Sequence, residues 1–188
     1  MILNQNNEYA AVLDACVLVP MPLCDTLLRL AEEPAFYRPL WSEMIFQEVG
    51  NALETKLKLT PEQRDRRLKM MSQAFPEAMV TIPPNLVDTF ECFIDKDDRH
   101  VLACGVKGQA HVIITQNTKH FPEECLEEYD ILCQTPDEFL GHQFHLNPPL
   151  IIEKLDQQAA AIGQSREYII CRLKTVTPEF CKLVKQSI

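Results

Sequence analysis

The chain has 188 residues, 46% of them hydrophobic and 24% charged, with a formal net charge of −9. That length suits one domain, or one with a modest appendage, and those fractions exclude a disordered or fibrous chain. No stretch approaches the roughly 18–20 consecutive apolar residues of a membrane span, and the polar start lacks the basic-then-apolar order of a signal peptide, so the expected location is the cytosol, with no membrane partner.

In chain order, Tyr9 to Leu13 is a short apolar run that reads as a buried strand ending on Asp14. Cys24 to Glu33 carries Leu27, Leu28, Leu30 and Ala31 at helical spacing until Pro34 stops it. Ser42 is a plausible N-cap for a helix from Glu43 to Leu57. Thr60-Pro61-Glu62-Gln63 has the cap, the first-position proline and the third-position glutamine of a strong helix start, and predicts a helix to about Phe75. Met79 to Ile82 reads as a short strand closed by Pro83-Pro84, and Asn85 to Phe93 as a short helix. Asp97 to Val106 reads as a helix with acids at its start, where they suit the helix dipole. Val112 to Thr115 is the most strand-like run, apolar as a strand covered on both faces should be, and Ile131 to Cys133 is a weaker one. Thr135-Pro136-Asp137-Glu138 repeats the capping logic and opens a helix through Leu140. Beyond His145 no strand signal remains: Leu150 to Ile162, Ser165 to Lys174 and Glu179 to Gln186 are three helical segments.

Strands separated by helices imply an α/β domain with a mostly parallel sheet, here residues 1–145, followed by an all-helical extension at 146–188. Sites in such sheets form at the carboxyl ends of the strands, where Asp14 and Asn117 both fall.

Several chemistries are excluded by what is missing. The five glycines form neither G-x-G-x-x-G nor a Walker A loop, which removes the nucleotide enzymes built on those cradles. None of the eight cysteines forms C-x-x-C, so zinc ribbons and thioredoxin-like motifs have no support, and the thiols read as reduced core residues. The five histidines contain no H-E-x-x-H and read as surface residues. The acidic balance disfavours diffuse coating of DNA but not a nuclease, since a carboxylate cluster holding a divalent cation is itself acidic. Arg64, Arg66, Arg67 and Lys69 against Glu62 and Asp65 form a local basic face, read as a solvated helix surface or a phosphate contact.

Five acids deserve weighing: Asp14, Glu48, Asp95, Asp97 and Asp98. An Asp at a strand tip can merely cap the next helix. Glu48, however, lies among Met44, Ile45, Val49 and Leu53, where an acid is unusual unless paired or cation-bound. Asp14, Glu48 and Asp98 come from distant parts of the chain and can meet at one sheet edge, the way oxygen ligands assemble a divalent-metal site. Asp95 and Asp97 read as flanking loop and helix-start acids.

These stretches resemble the PIN-domain family. Leu13-Asp14-Ala15-Cys16-Val17-Leu18-Val19-Pro20 and the following Asp25 to Ala31 look like its first segment; Trp41-Ser42-Glu43 leading to Glu48-Val49 looks like its second; Asp98 to Ala103 looks like its third; and Ile114 to Pro122 looks like its fourth. The likeness covers Tyr9 to Leu140 in order, and the helical tail resembles the extension of a bacterial subgroup of VapC-type toxins. The resemblance implies a parallel sheet flanked by helices and a divalent-metal-dependent endoribonuclease using Mg²⁺ or Mn²⁺, held by Asp14, Glu48 and Asp98. Asn117 falls on the fourth position, where many members carry Asp, and would orient water or a ligand. His120 stands where the subgroup has a later acid. Thr115, Arg99, Lys119 and His120 are the implied substrate contacts, and Asp25 and Arg29 are typical of the subgroup. The implied partners are RNA, a cognate antitoxin that could use the Met70-Met71 pair, and a second copy of the chain. The rival expectations are a PIN fold that has lost catalysis and only binds RNA or protein, and a haloacid-dehalogenase-type phosphatase, against which Cys16 stands where that chemistry wants a second Asp.

Overall fold

The computed structural model describes residues 8–90 and 96–187. Five parallel strands form one sheet in the order β3-β2-β1-β4-β5. They are β1 (Ala10–Leu13), β2 (Arg38–Ser42), β3 (Met79–Val80), β4 (Val112–Ile114) and β5 (Leu132–Gln134). β1 and β4 are fully buried, as their unbroken apolar runs require. The helices are α1 (Ala15–Leu18), α2 (Leu23–Ala31), α3 (Glu43–Thr55), α4 (Pro61–Ala74), α5 (Arg99–Gly108), α6 (Glu123–Leu126), α7 (Pro136–Leu146), α8 (Pro148–Ala161), α9 (Arg166–Leu173) and α10 (Pro178–Gln186). The chain builds outward from β1 to β2 and β3, then crosses to β4 and β5 on the other side. The order therefore reverses between β1 and β4, and the crevice at their carboxyl ends is where a doubly wound sheet places a ligand.

Local chemistry explains the clearest boundaries. Thr60 and Gln63 form a reciprocal capping box at α4, and Thr135 and Glu138 form another at α7, both with Pro at the first turn. Ser42 accepts from the Ile45 amide to start α3. The strand β2 was not expected, because Pro39 within RPLWS argues against a strand. The structure shows why it is tolerated. Arg38 N–H donates to Tyr9 toward β1, while Trp41 N–H donates to Ala78 toward the opposite side. Alternation puts the missing amide of Pro39 on that opposite side, upstream of the two residues where β3 pairs. Of the expected helix at Asn85 to Phe93, the described part is a single 3-10 turn at Val87–Thr89, and its end lies outside the described residues, as does Asp95. α7 continues to Leu146, past the expected Leu140.

The final helices pack back on the sheet domain. Ile151, Leu155, Ile169, Leu173 and Phe180 join the same buried cluster as the strands. Buried Gln158 accepts from Thr26 Oγ1 at 2.9 Å and donates to the Pro22 carbonyl at 3.1 Å, and Lys154 Nζ donates to the Glu32 carbonyl at 2.6 Å. Asp137 on α7 accepts from the first amides of α10, Glu179 and Phe180. Among the described residues, no helix is long and apolar enough to cross a membrane.

Two composition-based expectations are corrected. Cys125 is disulfide-bonded, whereas Cys16, Cys24, Cys104, Cys133, Cys171 and Cys181 are free thiols. His100 is not a surface residue: it is 2% exposed on the inner side of α5.

Candidate active site at the carboxyl edge of the sheet

Asp14 leaves β1 and turns straight into α1. Its amide donates to Ile114 on β4, which fixes it at the crevice between the two strands. The residue is 4% exposed, and its Oδ2 accepts from the Thr115 hydroxyl at 2.6 Å and from the Cys16 thiol at 3.0 Å. A buried carboxylate needs such donors. Thr115 Oγ1 in turn accepts from the Asn117 amide at 3.0 Å. Burial, followed by the charge of Asp14, pushes the Cys16 thiol up to about 12. It therefore stays protonated and donates at neutral pH.

Asp98 ends a 3-10 turn (Lys96–Asp98) that leads into α5, at the positive end of that helix. Its Oδ2 takes the Nδ1 hydrogen of His120 at 2.6 Å. The His120 amide donates to the Asn117 carbonyl, which ties this pair back to the loop after β4. Glu48 sits on α3 with its side chain 44% exposed, and its Oε1 accepts from Nε2 of His100 at 2.9 Å. A single run of contacts thus links the expected residues: Asp14 to Thr115, Thr115 to Asn117, Asn117 to His120, His120 to Asp98, and, two residues on, His100 to Glu48. They lie after the ends of β1 and β4, at the start of α5, and, for Glu48, in the second turn of α3.

Each acid is engaged by its own neighbour. Among the described residues, no three His, Cys, Asp or Glu side chains converge closely enough to hold a metal ion as they stand. The donor chemistry nevertheless suits a hard divalent cation, since all three acids offer carboxylate oxygens. Glu48 keeps its second carboxylate oxygen outside the His100 contact.

The outlying candidates divide. Asn117 and Lys119 are exposed, whereas Arg99 and His120 are half-buried beside Asp98. On α4, Arg67 is committed to structure: its Nη2 donates to the carbonyls of Leu18 (2.7 Å) and Val19 (3.0 Å) at the end of α1. Arg64 pairs with Glu54 and Asp65. Arg66 and Lys69 remain on the solvent side. Met70 is exposed and Met71 is buried, so the pair does not act as one patch. Asp25 and Arg29 pair across one helical turn at 3.1 Å.

Two contributors escaped the sequence reading. Composition suggests a core thiol for Cys16 and a surface position for His100, yet each donates to an acid of the candidate site. The signal for Cys16 was its position two residues after Asp14. For His100 it was an imidazole within the apolar Val101-Leu102-Ala103 stretch.

A family model described as "PIN domain" matches residues 10–119, more than half of the chain. The protein belongs to the PIN-domain family. The chain is also similar to a Mycobacterium tuberculosis protein named "Putative ribonuclease VapC50", with 51% identity over 49 residues, or 26% of this chain and 29% of that relative. The match therefore spans less than a third of the relative's length.

Proposed function

We propose that the protein is a divalent-metal-dependent endoribonuclease, the toxin of a toxin–antitoxin pair. The observation that carries this reading is the placement of Asp14 at the switch point of a PIN-type sheet, with Asp98 and Glu48 linked to it through the loop after β4. The ribonuclease name of the mycobacterial relative supports it.

In this reading Asp14, Glu48 and Asp98 hold Mg²⁺ or Mn²⁺. A cation held there would supply Lewis-acid polarisation of a phosphoryl oxygen and would ease deprotonation of the attacking water. The residues of the chain do the rest. Thr115 and Cys16 keep the Asp14 carboxylate turned to the crevice. Asn117, one residue past the strand-end loop's first bend, offers an amide to the attacking water or the substrate. Arg99, Lys119 and His120 meet the backbone phosphates. Water adds to phosphorus, the P–O3′ bond breaks, and the products are a 5′-phosphate and a 3′-hydroxyl, the 3′-oxygen taking a proton. An antitoxin would restrain this activity in the cell, and the residues 146–188 act as a brace on α2 and α7 rather than as part of the site.

The test is cleavage of a mixed RNA pool by the purified protein with Mn²⁺, with and without EDTA, beside Asp14→Asn. The reading predicts cleavage only by the wild type with metal. Metal-independent cleavage, or undiminished cleavage by Asp14→Asn, overturns it; Mn²⁺ binding without cleavage of any RNA favours a binding module.

A further inference from the structure

The buried imidazole of His100 has no role in the metal-ligand set, yet its placement is costly. It lies at the first turn of α5, 2% exposed, among Val101, Leu102, Ala103 and the core. Its Nε2 meets Glu48 Oε1 at 2.9 Å. Its Nδ1 is buried with no hydrogen-bond partner among the described residues. Glu48 is an acceptor, so the contact requires the hydrogen on Nε2 and leaves Nδ1 as a stranded polar atom. A leucine would fill this position in an apolar helix face without stranding any polar atom. The position is therefore not explained by packing.

What the ring accomplishes is a link between two helices. α3 and α5 flank the sheet on separate crossovers, and Glu48 lies at the edge of the buried face of α3 with its side chain 44% open to solvent. A free glutamate there would sample many rotamers. The Nε2–H contact fixes one carboxylate oxygen and leaves the other available. We infer that His100 is a positioning residue for Glu48: it touches neither substrate nor reacting atoms, but holds the Glu48 carboxylate oriented toward the cation that Asp14 and Asp98 share. This inference rests on the metal-dependent reading above. It assigns to His100 the outer-shell function by which a ring N–H orients a ligating carboxylate, whose loss typically weakens metal affinity about 10–100-fold.

The test measures Mn²⁺ binding to the purified full chain by calorimetry and by electron paramagnetic resonance, together with thermal melting. His100→Leu removes the donor and the stranded nitrogen at once. His100→Gln carries an amide nitrogen to about the reach of Nε2, whereas His100→Asn stops near the position of Nδ1. The expected result is Mn²⁺ affinity lowered about 10–100-fold in His100→Leu and His100→Asn, with His100→Gln within a few-fold of wild type. In a Glu48→Gln background, His100→Leu should cause no further loss. His100→Leu binding Mn²⁺ as tightly as wild type overturns the positioning role while leaving the nuclease reading standing. So does an equal loss in all three variants that follows their melting temperatures, which marks a purely structural residue. Absence of Mn²⁺ binding by the wild type overturns the metal-dependent reading and this inference with it. If His100→Leu does not fold, the contrast between His100→Gln and His100→Asn decides the matter in the same way.

Discussion

Replacing Thr115 by Val tests whether the site's central carboxylate depends on its neighbour. The two side chains have nearly the same shape, so the change deletes a hydroxyl from a residue with no solvent exposure and leaves packing in place. Two full hydrogen bonds go with it, along with a weaker 3.3 Å contact to the Cys16 thiol. One is the 2.6 Å donation to the buried Asp14 carboxylate, a bond to a charged group worth about 1.5–3 kcal/mol. The other is the 3.0 Å acceptance from the Asn117 amide, a neutral bond worth about 0.5–1.5 kcal/mol. The Cys16 thiol still donates to Asp14 and recovers a part, so the expected loss is about 2–4 kcal/mol. Urea unfolding at pH 7 measures it, with Thr115→Ser as the control that keeps the hydroxyl and loses only a methyl group, at about 1 kcal/mol. Thr115→Val within about 0.5 kcal/mol of wild type, the range of an uninvolved surface change, would refute the claim that this hydroxyl holds Asp14.

Three further outcomes follow from other parts of the molecule. Gly108→Ala places a Cβ 2.7 Å from Leu40 Cδ1 in the core and should destabilise by about 1–3 kcal/mol, whereas Gly141→Ala on α7 meets nothing nearer than Leu183 at 3.8 Å and should be neutral or stabilising by up to about 1 kcal/mol; thermal melting distinguishes them. Burial is the main cause that pushes the thiols of Cys16, Cys104 and Cys133 up to about 12, above their ordinary 9.0. The folded state therefore keeps these protons while the unfolded chain releases them, so stability should be full below pH 9 and fall between pH 9 and 12, by up to about 1.4 kcal/mol per pH unit for each thiol; a flat urea midpoint from pH 8 to 10.5 would contradict this. Arg67→Met removes the two bonds to the end of α1 and should lower stability by about 1–3 kcal/mol; a change below about 0.5 kcal/mol in the same unfolding assay would show that the guanidinium is a bystander.

Local chemistry made most of the elements legible. The apolar runs ending at Leu13 and Ile114 and the caps at Thr60 and Thr135 are recognisable from a few residues because the forces that form them act over a few residues. β2 was not, since Pro39 removes an amide, and only the staggered pairing of β1 and β3 reveals that nothing needed that amide. α1 was likewise missed, a single turn made by a chain that must leave β1 sharply at Asp14. The placement of Asp14, Thr115 and Asn117 at one sheet edge was legible because strand tips gather there. The couplings of Glu48 to His100 and of Asp98 to His120 were not, because they depend on how α3 and the loop after β4 meet α5, a separation of 52 and 22 residues along the chain. The disulfide at Cys125 lay beyond reach too, as no spacing rule distinguishes one buried cysteine from another.

Whether three carboxylates from separate segments share one cation is decided by a crystal structure of the protein soaked in Mn²⁺ with anomalous data at the manganese edge. The expected result is an anomalous peak at the carboxyl edge of the sheet, coordinated by Asp14, Glu48 and Asp98. Diffraction from soaked crystals that shows no manganese on those three side chains, with the ion elsewhere or absent, would contradict it.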